Sequence, residues 1–511
     1  MGKEKNNKKG ICYLVGAGPG DPGLLTLRAK ECLESADVVV YDYLCNPDIL
    51  NHAPSSAEKI YAGKKAADHA IPQEELNDLL VKLSIKGQTV VRLKGGDPYV
   101  FGRGGEEAQE LRSAGVPFEI VPGISSSVAG PAYAGIPVTH RDCCSQLTIF
   151  TGHEDPTKND SVINYSTIGK VDGTKVMLMG VGQLEKVTNQ MIEGGAPKDT
   201  PVALIRWATT GRQQTLVGEI GNIVEKVNKS GFKAPAVTVF GEVVKLREQL
   251  NWFEERSLYG KKMVVTRTRS QAGELSVRLR HLGADVDEMP TIRIEPPVDL
   301  KGFGQLVQDS HKYDWIVFTS PNGVDAFFDI FFKLYKDARS IGGARIAAVG
   351  PGTQKKIESY HLSVDLLPEK YVAEGLVEKF KETEGVENQT IMLVRPETTR
   401  DIIAKGLSEM GAIVDEAIAY RTVPELEDPT GAVERFNSGE IELVTFTSSS
   451  TVESFMELDL LIPDHLIMAS IGPVTSETIR SYGHEVDIEA QESTIQSLVD
   501  SIEDYYLALQ D

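Results

Sequence analysis

The chain has 511 residues, with 53 Lys and Arg against 74 Asp and Glu, a net charge of −21, and it is 41% hydrophobic and 25% charged. That balance is globular and excludes a disordered or collagenous chain, while so acidic a surface argues against a general binder of nucleic acid or anionic membrane. At about 100–200 residues per domain, the length predicts about three domains, with four allowed.

The charge is lopsided. Through Arg256 there are 29 basic and 31 acidic residues; after it, 24 and 43. A break at the midpoint suggests two units with separate histories. Residues 1–9 read as a basic, polar tail. The apolar stretch Ile11–Val15 is too short for a signal core or a membrane span, and Asn6 stands where a myristoylation motif needs Ser or Thr. The five cysteines, Cys12, Cys32, Cys45, Cys143 and Cys144, are odd in number and form no C-x-x-C. They predict no disulfide framework and no metal site, only ordinary buried thiols in a reducing cytoplasm.

Ile11–Val15 predicts a strand, Leu24–Ser35 a helix and Val38–Tyr41 a second strand. Val90–Leu93 predicts a third strand ending at Gly95-Gly96. Glu106–Ala114 follows as a helix and Phe118–Val121 as a strand ending at Pro122-Gly123. Short β-rich runs separated by helices predict a parallel α/β sheet. From about Leu147 the connections lengthen, and Leu147–Thr151, Lys175–Met179, Val202–Arg206 and Ala236–Phe240 predict the strands of a second α/β subdomain. The charged stretch Asn251–Ser257 begins a linker.

The second half repeats itself. KKMVVTRTRS (261–270) matches QTIMLVRPETTR (389–400), DWIVFTSPNGVDAFF (314–328) matches ELVTFTSSSTVESFM (442–456), and ARIAAVGPGT (344–353) matches LIMASIGPVT (466–475). Arg267 and Arg395 are offset by 128, as are Ser320 and Ser448; Gly350 and Gly472 are offset by 122. Ordered matches at near-fixed spacing predict two similar lobes, with ligand bound between them.

Several strand ends carry chemistry. Gly16-Ala17-Gly18-Pro19-Gly20-Asp21 looks like a nucleotide loop, but Asp21 stands where G-x-G-x-x-G requires Gly, and Pro19 removes a backbone N–H. The dinucleotide reading is therefore rejected, leaving a rigid loop that lets a flat ligand approach the backbone. Gly95-Gly96-Asp97-Pro98 lies beyond a strand's carboxyl end, where α/β sheets bind ligands. It runs into an unusually glycine-rich segment through Glu107. Val121-Pro122-Gly123-Ile124-Ser125-Ser126-Ser127 is a third such loop; helix capping explains one of its serines. Asp42 and Lys64, after strand-like segments, have the chemistry of a base and an acid, or of a solvated pair.

Taken together, VGAGPGDPGLLTLRA, VVYDYL, AGKK, RLKGGDPYVFGRGGEE, VPGISSSVAGPAYAGIPVTHR and PAVTVFGEVV, spread over about 10–250, resemble the tetrapyrrole methylases. The uroporphyrinogen-III C-methyltransferases match best. The resemblance implies an α/β tetrapyrrole methylase fold of two subdomains, about 10–124 and 125–250, with S-adenosylmethionine bound in the cleft between them. It places the cofactor against Pro19, Gly95, Gly96, Asp97, Val100, Ser125, Ser126, Met179 and Ala208. Asp42 matches the family's proton acceptor and Lys64 its donor. Ser125-Ser126 replaces a common Thr-Ala, and Ala208 a common Gly. The implied substrate, uroporphyrinogen III, carries eight carboxylates, so cations must line its site; Lys64, Lys65, Arg103, Arg141, Arg206 and Arg212 are candidates. The family also implies a homodimer formed through this half.

VTRTRS, FTSPNGVDAF, AVGPGT, GADVDEMP, GAIVDEAIAY and FTSSSTV, over about 260–505, resemble the uroporphyrinogen-III synthases. That family implies two flavodoxin-like lobes after a linker at 251–259, lobe one from 258–293 plus 422–505 and lobe two from 294–421. It implies cyclisation of hydroxymethylbilane with inversion of ring D. Ser320, Asn322, Thr353, Tyr420, Ser448 and Thr475 match its cleft. Tyr420 is the candidate to assist departure of the hydroxyl, or is a cross-lobe packing residue, and Arg267 and Arg395 are candidate carboxylate binders. The combined expectation is an enzyme that makes uroporphyrinogen III and methylates it twice to precorrin-2, on the sirohaem or cobalamin branch. Two other readings fit the same residues: a methylase with a second half that only binds tetrapyrrole, and a methylase of a later corrin intermediate.

Overall fold

Runs such as Val38–Tyr41, Trp315–Phe318 and Leu443–Phe446 have almost no polar face, the pattern of parallel strands covered on both sides. The computed structural model describes residues 10–54, 56–63, 71–153, 163–266, 269–289, 292–383, 385–424, 431–458 and 460–509. Its strands form four five-stranded sheets.

The first sheet holds β1 (Ile11–Gly16), β2 (Val38–Tyr41), β3 (Glu58–Tyr61), β4 (Thr89–Lys94) and β5 (Phe118–Val121), all parallel, in the order β3-β2-β4-β1-β5. The four expected strands are present. The edge strand β3 escapes sequence reading because Glu58 and Lys59 are exposed and give it no apolar run. The helix Gln73–Ile85 is also additional; it buries Leu76, Leu80 and Leu83, one helical face. The first helix starts at Leu27, not Leu24. Thr26 caps it by accepting from the Ala29 N–H, and Leu24 lies in a short 3-10 turn. The glycine loop thus does not open directly into a helix as a dinucleotide loop does.

The second sheet holds β6 (Leu147–Thr151), β7 (Thr174–Leu178), β8 (Pro201–Arg206), β9 (Gln214–Glu219) and β10 (Ala236–Phe240) in the order β6-β7-β10-β8-β9. Only β6 and β7 are parallel. β9, another edge strand with polar ends, was not predicted. The stretch 251–259 is packed: Trp252 meets Tyr133 edge-on at 5.0 Å, Phe253 and Leu258 are buried, and Glu254 accepts from Gln213 and Thr215.

The second half contains β11 (Lys262–Val265), β12 (Asp285–Glu288), β13 (Ile292–Glu295), β14 (Trp315–Phe318), β15 (Arg345–Ala348), β16 (Thr390–Pro396), β17 (Ile413–Pro424), β18 (Leu443–Phe446), β19 (Ile467–Ser470) and β20 (Ile488–Glu489). Lobe one is the parallel sheet β12-β11-β18-β19-β20, the flavodoxin-like order. Lobe two is β13-β17-β16-β14-β15, with only the β13–β17 pair antiparallel. The internal repeat is therefore structural: β12-β11-β18-β19 and β17-β16-β14-β15 follow one plan. Both strands at the lobe crossing, β13 and β17, pair within lobe two.

Cys12, Cys32 and Cys45 are buried, and Cys143 and Cys144 are partly exposed. Burial pushes the Cys12 and Cys45 thiols up to about 12. Iodoacetamide at pH 8 is therefore expected to label only Cys143 and Cys144 in the native protein, as peptide mass analysis would show; native labelling at Cys12 or Cys45 would contradict this burial.

Candidate functional site

The three glycine-bearing loops converge because their backbones touch. A Cβ on Gly16 would lie 2.5 Å from Gly123 Cα and 2.6 Å from the Gly96 carbonyl oxygen, and one on Gly123 would lie 2.3 Å from that oxygen. Gly18 and Gly96 exchange backbone hydrogen bonds of 3.2 and 2.7 Å. Asp97 locks the arrangement. One of its carboxylate oxygens accepts from the Gly123 N–H at 3.0 Å and the other from the Tyr99 N–H at 2.8 Å.

These loops floor a cleft of about 1200 Å³. Pro19, Gly95, Gly96, Val100, Ser126, Met179, Ala208 and Asp42 line it. Asp97 and Ser125 lie behind its surface. Ser125 is the cap of the helix Ser126–Tyr133 and accepts from the Ser127 N–H. Tyr43, Phe101 and Met179 are 59%, 42% and 53% exposed at the cleft. Exposed apolar side chains beside bare backbone suit a flat, partly apolar ligand.

Asp42 follows β2 and keeps a third of its side chain accessible. Its Oδ1 accepts from Arg92 Nη2 at 2.6 Å. Arg92 continues inward: its Nε lies 3.3 Å from Glu107 Oε1, and Lys94 Nζ donates to the same oxygen at 2.6 Å. The Arg92, Lys94 and Glu107 side chains are 3%, 4% and 0% exposed. Burial pulls the Lys94 ammonium below its usual value, against the pull of Glu107. This buried chain of alternating charge holds the Asp42 carboxylate at the cleft from beneath. Sequence reading missed it, although its signal was present: two cations in an otherwise apolar strand, TVVRLK.

Two of the expected carboxylate-binding cations stand away from the cleft lining. Arg103 is exposed and paired with Glu106 at 2.6 Å, and Arg141 is exposed outside the cleft lining. Arg212 lines the cleft but is paired with Asp285 and Asp287 of lobe one. Lys64, Lys65 and Arg267 lie outside the described residues.

In the second half, the matched residues lie at strand ends and helix starts. Ser320 follows β14 and caps the helix Pro321–Leu334 by accepting from the Gly323 N–H; its hydroxyl is 2.9 Å from that of Tyr420. Asn322 is in the first turn and also bonds Tyr420. Tyr420 is 6% exposed, and burial raises its phenol against the opposing pull of Ser320 and Asn322. The β16–β17 register slips between Arg395 and Pro396, so Tyr420 pairs with Pro396; such irregularities re-aim side chains. Thr353 is buried in the helix after β15, and Thr475 in the helix after β19. Ser448 caps the helix after β18. The Ser448 and Thr475 helices are tied through Ser449, which accepts from Thr478 at 2.8 Å. Arg395 is neutralised by Glu416 at 2.5 Å and Asp401 at 3.4 Å.

Comparison with known proteins follows the same division. The family described as Tetrapyrrole (Corrin/Porphyrin) Methylases matches residues 12–224, and that described as Uroporphyrinogen-III synthase HemD matches 273–500. The porphyrin biosynthesis protein HemD of Ruminiclostridium josui is 38% identical over 494 residues, covering 96% of this chain and 97% of its own. The S-adenosyl-L-methionine-dependent uroporphyrinogen III methyltransferase of Methanosarcina barkeri is 52% identical over 241 residues, 47% of this chain and 94% of its own. A crystal structure of Uroporphyrin-III C-methyl transferase from Thermus thermophilus, complexed with S-adenyl homocysteine, is 38% identical and covers 46% of this chain and all of that one, with a TM-score of 0.41.

Proposed function

The chain belongs to the tetrapyrrole methylases in its first unit and to the uroporphyrinogen-III synthases in its second, and from that premise we propose that it converts hydroxymethylbilane into precorrin-2. The second unit closes the linear tetrapyrrole with inversion of ring D, and the first methylates the resulting uroporphyrinogen III twice. The reading is carried by the cleft: seven of the nine residues expected at the cofactor line it, together with Asp42. The fit to S-adenosylmethionine rests on its floor, where a Cβ on Gly96 would meet nothing nearer than Ser126 N at 3.9 Å, so backbone lies open to a ligand.

When bound, S-adenosylmethionine supplies an electrophilic methyl on its sulfonium. Pro19, Gly95, Gly96, Val100, Ser126, Met179 and Ala208 would hold the cofactor, and positioning its methyl against the attacking pyrrole carbon would supply most of the rate. Asp42 Oδ2 takes the ring N–H proton, while Oδ1 stays on Arg92. Lys64 completes the acid–base pair.

In the second unit, Ser320 and Asn322 orient the Tyr420 hydroxyl. A phenol raised by burial stays protonated at neutral pH and is a donor to the departing hydroxyl. Ser448, Thr353 and Thr475, at helix starts, offer hydroxyls and N–H groups to carboxylates. Tyr420→Phe is expected to slow ring closure about tenfold and leave methylation unchanged. Equal ring-closure rates in the variant and the unaltered protein would return Tyr420 to a packing role.

The same reading places the enzyme in the cytoplasm as a homodimer joined through its first unit. The test of the whole is to give the full chain hydroxymethylbilane and S-adenosylmethionine and identify the pigments. Uroporphyrinogen III and a dimethylated product are expected. Uroporphyrinogen I alone, the spontaneous product, would show a second unit that binds without catalysing.

A further inference from the structure

The wall of the methylation cleft is not made by the first unit alone. It continues through Phe253 and Arg256 to Arg280, His281 and Ala284–Glu288 of lobe one. Between them runs the loop 207–213, which leaves β8, presents Trp207 and Ala208 to the cleft, and ends at β9.

The loop is strained. Trp207 and Thr209 have φ of 48° and 71°, a region that residues with side chains hold only when their surroundings impose it. On its cofactor side the loop is fastened to the first glycine loop: the Asp21 N–H donates to Thr209 Oγ1 at 3.0 Å. Within the loop, the Thr209 N–H donates to Gln213 Oε1 at 2.9 Å. Its other side is fastened to the second half. Arg212 spans two carboxylates of the edge strand β12, with Nε 3.0 Å from Asp285 Oδ1 and Nη2 2.8 Å from Asp287 Oδ1. Arg435 of lobe one holds the other oxygen of each. Gly211 lies flat against the same strand, where a Cβ would fall 2.2 Å from the Asp285 nitrogen. Tyr259 donates to the Gln213 carbonyl.

We propose that β12 of the synthase unit is a positioning element of the methyltransferase cleft, Asp285 and Asp287 holding Arg212 and thereby the strained loop that presents Trp207 and Ala208 to S-adenosylmethionine. Asp285 and Asp287 line the cleft wall as well, and the role proposed for them is positional. They act through Arg212, whose bidentate reach fixes the direction of the loop as well as its position. The link makes cofactor affinity in one enzyme depend on the integrity of the other.

The inference rests on the reading that the first unit binds S-adenosylmethionine. Its test compares the full chain with D285N/D287N, measuring S-adenosylhomocysteine affinity by calorimetry, KM and kcat of methylation, and ring closure. Cofactor affinity is expected to weaken about tenfold and KM for S-adenosylmethionine to rise in step. Methylation kcat at saturating cofactor and the ring-closure rate should stay within about twofold. Arg212→Ala should weaken binding likewise, and Arg212→Lys should recover much of it by keeping the cation. Should the double variant fail to fold, Arg212→Ala decides alone. Unchanged affinity in Arg212→Ala would overturn the proposal, as would a fall in kcat with KM constant. If the unaltered chain binds no S-adenosylhomocysteine, it is the reading of the first unit that fails.

Discussion

Asp42→Asn is expected to lower methylation kcat about 100-fold, the scale of a lost general base, with S-adenosylhomocysteine affinity and ring closure unchanged. The substitution is nearly isosteric. Asn keeps an oxygen to accept from Arg92 Nη2, so the 2.6 Å contact that orients the side chain survives. What is lost is the second carboxylate oxygen as a proton acceptor at the cleft. Because Arg92 is also bound to Glu107, the pocket beneath Asp42 is not left with an unpaired guanidinium. A fall in turnover is thus attributable to the proton and not to collapse of the site. Normal turnover in Asp42→Asn, with uroporphyrinogen III as substrate, would remove Asp42 from the mechanism.

Glu107→Gln is expected to destabilise the first unit by about 3–5 kcal/mol, the cost of removing one partner from a buried ion cluster. Glu107 Oε1 receives both Arg92 and Lys94, and all three side chains are at most 4% exposed. The amide leaves Lys94 without its carboxylate in a place where burial already disfavours its charge. For a unit of this size that is a fall of about 10 °C in Tm. Calorimetry should show it in the first unit's transition, with the second unit's transition unmoved. A fall of under about 2 °C would mean that the cluster relaxes or hydrates on losing its anion. Methylation should fall as well, since Asp42 is held from below by the same cluster.

The sheets were legible wherever a strand is covered on both faces, as at Val38–Tyr41 and Leu443–Phe446. Edge strands β3 and β9, half polar, were not. The three strand-end loops were legible because their glycines report a backbone constraint that the converging contacts of Gly16, Gly96 and Gly123 explain. The roles of charges were much less legible. Arg103 and Arg141 had the right sign for a polyanion, yet they stand away from the cleft lining. Arg212 lines the cleft but has partners 73 and 75 residues away, on another sheet. Asp97 is expected at the cofactor, and no local pattern showed that its two oxygens accept from the Tyr99 and Gly123 backbone N–H groups. A charge is spent on whatever tertiary structure brings near it, and no local pattern records that.

The interleaving of the two lobes has a consequence for biosynthesis. Lobe two is drawn from one continuous stretch, whereas β11 of lobe one must wait for β18, its partner from Met263 to Leu443. A chain emerging from the ribosome therefore completes lobe two first, domains generally folding as units as they appear. Meanwhile β11 and β12 have no sheet to join. The first unit, already translated, carries the partners that β12 meets outside its own sheet, Arg212 and Gly211. Lobe one, which carries the contacts to Arg212, is therefore the last part of the chain to complete its sheet.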